Sequence, residues 1–193
     1  MAYNAIDISK KIVCRTDVKH GDTISNLKLQ KLLYYMQGFH LALFDAPFFN
    51  EQMEAWTYGP VVPAVFQAFK RYKQRSINPT NYSDELILTD DEQRMFDKVY
   101  ADYSRFSAVA LMKMTHNEDP WKCHDIGDVI TNDELRAFFL TQIDCEEPCR
   151  TDESGRIIMT KKMREAVYKA EKSLAEGRCL TEDMFQTRFT RWL

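Results

Sequence analysis

The residues of this 193-residue chain best suited to chemistry are its histidines, cysteines and clustered carboxylates. His116, Cys123 and His124 stand close together, and Cys145 and Cys149 are four apart. A thiol beside an imidazole is the raw material of nucleophilic catalysis, because the base raises the thiolate fraction. The same atoms ligate zinc when they come as two tight, regularly spaced pairs. Here the spacings are irregular and no second close cysteine pair follows. There is no Gly-rich phosphate loop, no G-x-S-x-G elbow and no H-E-x-x-H. Asp90, Asp91 and Glu92 read as charges at a helix start. We therefore assign no catalytic residue, no metal ligand and no cofactor. An enzyme using His116 with Cys123 or His124 stands as the lowest alternative.

Two stretches are built to hold a backbone path. The first is Glu54-Ala55-Trp56-Thr57-Tyr58-Gly59-Pro60-Val61-Val62-Pro63. Trp and Tyr each bring a large apolar body with one polar handle, and Gly and Pro between them set a tight course. The stretch reads as a structural corner, with a docking surface around Tyr58 as the competing reading. The second is Thr115-His116-Asn117-Glu118-Asp119-Pro120-Trp121. His116 falls where a helix should end, placed to bond the free carbonyls of the last turn. The competing reading makes it a base or a ligand. Lys70-Arg71-Tyr72-Lys73-Gln74-Arg75 reads as a solvated cationic helix end, with phosphate contact as its alternative.

The elements that position these stretches are helical. Ile6, Ile8, Ile12 and Val13 predict a first helix to about Val18, ended by Gly21-Asp22. Leu29, Leu32, Leu33, Met36 and Phe39 recur at three- and four-residue steps and predict a central helix from Asn26 to about Phe44. Ser25 or Asn26 caps it, and Asp45-Ala46-Pro47 breaks it. An extended piece reaches Tyr58. Gly59-Pro60 then turns the chain into a helix whose first turn takes Pro60 and Pro63 and whose inner side is Val62, Val65, Phe66 and Phe69. Thr89 with Glu92, and Thr131 with Glu134, are capping boxes opening two further helices. Another runs from about Ser107 to Thr115.

The expected fold is therefore all-α, mainly helical, with at most one or two very short strands. The polar segment 144–155, with Pro148 and Gly155, divides a helical domain (1–143) from a helical extension (144–193). Hydrophobic residues make up 45% of the chain, enough to fill one core at this length. The net charge of -3 argues against a general nucleic-acid binder. Five scattered cysteines suit a reducing, cytoplasmic setting. No secretory leader and no run of about 20 apolar residues is read. Met159, Met163, Tyr168, Met184, Phe185 and Phe189 in the extension are of types enriched at protein interfaces.

Three motifs in order carry a family resemblance. Leu29-Gln30-Lys31-Leu32-Leu33-Tyr34-Tyr35, then Glu54-Ala55-Trp56 with Tyr58-Gly59-Pro60-Val61, then Thr115-His116 with Pro120-Trp121 resemble the Panacea domain, also called SocA-like or GepA-like, over roughly residues 6–140. The resemblance implies an all-helical bacterial or phage domain acting as an antitoxin, which binds and silences a toxin protein encoded by an adjacent gene. One branch of the family delivers its bound toxin to the ClpXP protease, which stands as the alternative. Gln30, Lys31, Tyr35, Trp56, Tyr58, Gly59, Pro60, His116 and Trp121 match the pattern, and the resemblance carries over no catalytic residue. Toxin-contact candidates are Tyr58 and the six residues of the extension.

Overall fold

The computed structural model describes residues 2–18 and 22–143. Helix α1 (Ala5–Cys14) is capped by the Asn4 side chain, which accepts from the Ile6 N–H. It ends well before the expected Val18. Thr16 and Asp17 are weak helix formers whose side chains compete for the backbone, and the Thr16 N–H already turns back to the Val13 carbonyl. Helix α2 (Asn26–Phe44) matches the expected span, with Ser25 as cap and Asp45 leaving it in a left-handed conformation at φ 55°.

Three antiparallel strands follow, β1 (Met53–Trp56), β2 (Gly59–Val61) and, much later in the chain, β3 (Val129–Ile130), ordered β2-β1-β3. Pro60 thus lies in a strand and not in the first turn of a helix. The reason is that β2 is an edge strand, where a residue without an N–H costs no ladder bond, and Pro60 sits opposite Ala55. Pro63 does open α3 (Pro63–Phe69). That helix stops before the basic run, which forms a 3-10 turn at Lys70–Tyr72. The remaining helices are α4 (Asp90–Ser104), α5 (Ala108–His116), the single turn α6 (Asp119–Lys122) and α7 (Asn132–Gln142). Both capping boxes form as expected. The described residues are mainly helical, with one small sheet.

The core is organised around α2, which packs on α1, α3, α4, α5, α7 and β2. It is buried nearly all round: Leu29, Leu32, Leu33, Tyr34, Tyr35 and Met36 join Phe48, Phe49, Phe96 and Phe139 in one cluster. Gln37 is the polar member that ties the loop after α2 to the core. Its carbonyl oxygen accepts from the Phe48 and Phe49 N–H groups (3.0 and 3.1 Å), and its amide donates to the Phe49 carbonyl and to Asn132. Among the described residues no helix is long and apolar enough to cross a membrane.

Candidate functional site

The two aromatic stretches meet each other. Trp121 donates its indole N–H to the Trp56 carbonyl at 2.9 Å. Trp56 in turn donates to Glu54 at 2.8 Å and packs edge-on against Phe66. The hairpin carrying Trp56 is thereby clamped from α6 on one side and from α3 on the other.

Helix α2 supplies the floor of this junction. The Gln30 carbonyl oxygen accepts from the Val62 N–H at 2.8 Å, and its amide donates to Asn26. Lys31 is fully buried. Its ammonium donates to the Pro60 carbonyl at 2.8 Å, and no carboxylate among the described residues pairs with it. Burial pushes its pKa down from 10.5 to about 7, because the charged form loses its hydration. Gly59 makes the close approach possible. It adopts φ 95°, and a Cβ there would lie 2.7 Å from Lys31 Nζ and 2.8 Å from Thr115 Oγ1. The turn needs glycine both for its left-handed backbone and for the space.

On the far side, the His116 ring stacks on Trp121 with centroids 3.8 Å apart and planes 6° from parallel. His116 was expected to bond the last carbonyls of its helix. Asn117 takes that role: its N–H goes to the Met114 carbonyl and its amide to Lys113, which leaves the imidazole free to stack. Burial and then the charge of Lys31 lower the His116 pKa. Cys123 and His124 lie elsewhere, lining a groove of about 470 Å³ with Pro120, Glu134 and Phe138. His124 faces Glu134 at 3.4 Å. Among the described residues no hydrogen bond or ion pair joins the side chain of either residue to His116.

Tyr35 donates to Glu118 at 2.9 Å and stacks on Tyr103 at 3.8 Å. Glu118 precedes α6 but makes no side-chain cap; it turns into the core instead. Burial raises its pKa, opposed by Tyr34 and Tyr35. The Tyr34 hydroxyl lies near enough to act on Glu118 electrostatically but makes no hydrogen bond of good geometry. Glu118 is a junction residue to which the sequence reading gave no role, although it lies within the stretch Thr115–Trp121. A carboxylate two residues before Pro120 looks like an ordinary helix-start charge in sequence.

Of the nine motif residues, eight therefore sit in one junction as fixtures: Gln30, Lys31, Tyr35, Trp56, Gly59, Pro60, His116 and Trp121. Tyr58 alone projects, 65% exposed at the hairpin tip. Ile126 and Val129, also exposed, flank the segment that pairs with Ala55 through the Gly127 N–H and the Asp128 carbonyl. Met159, Met163, Tyr168, Met184, Phe185 and Phe189 lie outside the described residues, as does the expected boundary after residue 143.

Residues 29–122 match the family described as Antitoxin SocA-like, Panacea domain. The chain is 34% identical over 120 residues to the protein named Antitoxin SocA of Caulobacter vibrioides (strain NA1000 / CB15N). That match covers 56% of this chain and 61% of the relative. The chain thus spans about three fifths of that relative's length. No solved structure matches it. All three motifs fall inside the matched segment. Over residues 29–122, about half of its length, the chain is therefore similar to the SocA-like Panacea-domain family.

Proposed function

We propose that the chain is an antitoxin that silences a cognate toxin by direct protein contact, with the hairpin tip at Tyr58 as a contact point. The family match supports the antitoxin role. The observation that carries the contact is the contrast within one motif: Ala55, Gly59, Pro60 and Val61 are buried, while Tyr58 stands 65% exposed on a hairpin braced by two tryptophans. A rigid, exposed aromatic loses little conformational entropy on binding and is typical of interface hot spots. Met159, Met163, Tyr168, Met184, Phe185 and Phe189 are proposed as the second part of the contact, on the extension 144–193. Binding would occlude the toxin's working surface.

Co-expression with the adjacent gene tests this. The neighbour alone should arrest growth, and this chain should restore it. Tyr58→Ala should weaken the complex about thirtyfold, as a hot-spot truncation does, without lowering the melting temperature. A harmless neighbour, or one that kills equally in the presence of this chain, ends the proposal. Toxin half-life measured in the same cells separates occlusion, which leaves it unchanged, from delivery to a ClpXP-type protease, which shortens it.

A further inference from the structure

The turn after α3 carries four exposed cations, Lys70, Arg71, Lys73 and Arg75, within six residues. Lys10, Lys11, Arg15, Arg94, Lys98 and Arg136 each face a carboxylate. None of the four in the turn does so among the described residues. Their arrangement is organised. One terminal nitrogen of Arg71 donates to the Tyr82 hydroxyl at 3.0 Å and the Tyr72 hydroxyl at 3.2 Å. Those hydroxyls bond each other at 3.0 Å, and Asn81 donates to Tyr72. Both tyrosine rings rest on the buried Phe69. The guanidinium is thus held in place over the Tyr72 ring while its other donors face solvent. Lys73 follows at φ 51° and ψ -117°. Glycine occupies that region freely and a side-chain-bearing residue does not, yet the position holds a lysine.

We propose that this turn is a docking site for a short acidic segment of a protein partner, with Arg71 as the prepositioned carboxylate receptor. With Nη2 engaged by the two hydroxyls, the Nη1 and Nε donors of Arg71 stay open to a carboxylate, and fixing the guanidinium beforehand cuts the ordering cost of a charge-assisted bond. A carboxylate segment fits better than a nucleic-acid backbone. The chain carries a net charge of -3, and Asp84 and Glu85 lie exposed just beyond Tyr82. A long polyanion leaving the turn would be repelled, whereas a short segment stays within about 8 Å, the range over which charge acts at physiological salt. This inference stands independently of the antitoxin role.

The test uses the full chain, labelled with nitrogen-15 and titrated with a short oligoglutamate peptide at about 50 mM salt. Amide shifts should concentrate at 70–75, with the Arg71 side-chain Nε–H moving among them. Arg71→Gln with Lys73→Gln should weaken binding about tenfold, while the control Arg105→Gln, Lys113→Gln and Lys122→Gln should leave it unchanged. Tyr82→Phe removes no charge and should still weaken binding severalfold, which a merely solvated charge run would not show. Melting curves confirm that each variant is folded. Shifts spread over all surface cations, equal loss in the control, no effect of Tyr82→Phe, or tighter binding of an oligothymidylate through the same turn would each overturn the proposal.

Discussion

Replacing Lys31 by methionine removes a charge from the centre of the junction while keeping a long, flexible apolar stem. The ammonium is fully buried, its one polar partner is the Pro60 carbonyl, and its pKa falls from 10.5 to about 7. In the unfolded chain it regains its ordinary value. Between pH 7 and 10.5 the unfolded state therefore binds the proton and the folded state does not, so stability rises with pH across that window. The full shift corresponds to about 5 kcal/mol, and the part gained between pH 7 and 9 to about 2 kcal/mol. That is a large share of a domain's total stability of about 5–15 kcal/mol. His116, with a lowered pKa, acts below this window, and Tyr3, pushed up to about 12, acts above it. Lys28 is lowered and Cys14 is raised by burial, but both are present in each protein and cancel in the difference. Urea unfolding at pH 7, 8 and 9 should show the midpoint of the parent climbing, and that of Lys31→Met climbing about 2 kcal/mol less. At pH 7 the variant should be no less stable than the parent, since the lost bond to Pro60 is worth only about 1 kcal/mol. Parallel pH profiles for the two proteins would show that Lys31 is not held in the state its burial implies.

Two further outcomes follow from the core and the caps. Gly38→Ala puts a Cβ 2.1 Å from the Phe139 ring, so α2 and α7 must part, at a cost of about 1–3 kcal/mol or more; Phe139→Leu in the same chain should recover part of it, as read from the denaturation midpoint. Glu92 closes the α4 capping box and also accepts from Tyr3 at 2.7 Å. Burial would raise its pKa, but the Thr89 N–H, the Tyr3 and Thr89 hydroxyls and His40 outweigh that and hold it at about 2. Its contribution is full above its ordinary value of 4.5 and fades as pH falls toward 2. Glu92→Gln should thus cost about 1–2 kcal/mol at pH 7 and much less near pH 2 by thermal melting.

The helix spans were largely legible because their signals act within a few residues. Ser25 starts α2, Asp45 ends it, and each capping box is a side chain meeting a backbone group three residues away. The sheet was less legible. Its strands are two to four residues long, and β3 pairs with Met53 and Glu54 from far earlier in the chain, a pairing no local pattern announces. Residues 70–75 read as a helix end, but α3 stops at Phe69 and leaves them on a turn organised by Tyr82.

Most residues of the junction stood out in the sequence as three motifs, and with them a resemblance to the SocA-like Panacea domain. That followed from residue type and spacing alone. Which of those residues are fixtures was decided by tertiary structure. A lysine on a helix usually reaches water, and Lys31 is buried because the hairpin and α5 close over it. A tyrosine beside a tryptophan looks equivalent to it in sequence, yet Trp56 is clamped by a residue 65 positions away while Tyr58 stays in solvent. Periodicity and capping are properties of a few neighbouring residues, whereas burial, pKa and exposure belong to whatever the folded chain brings alongside.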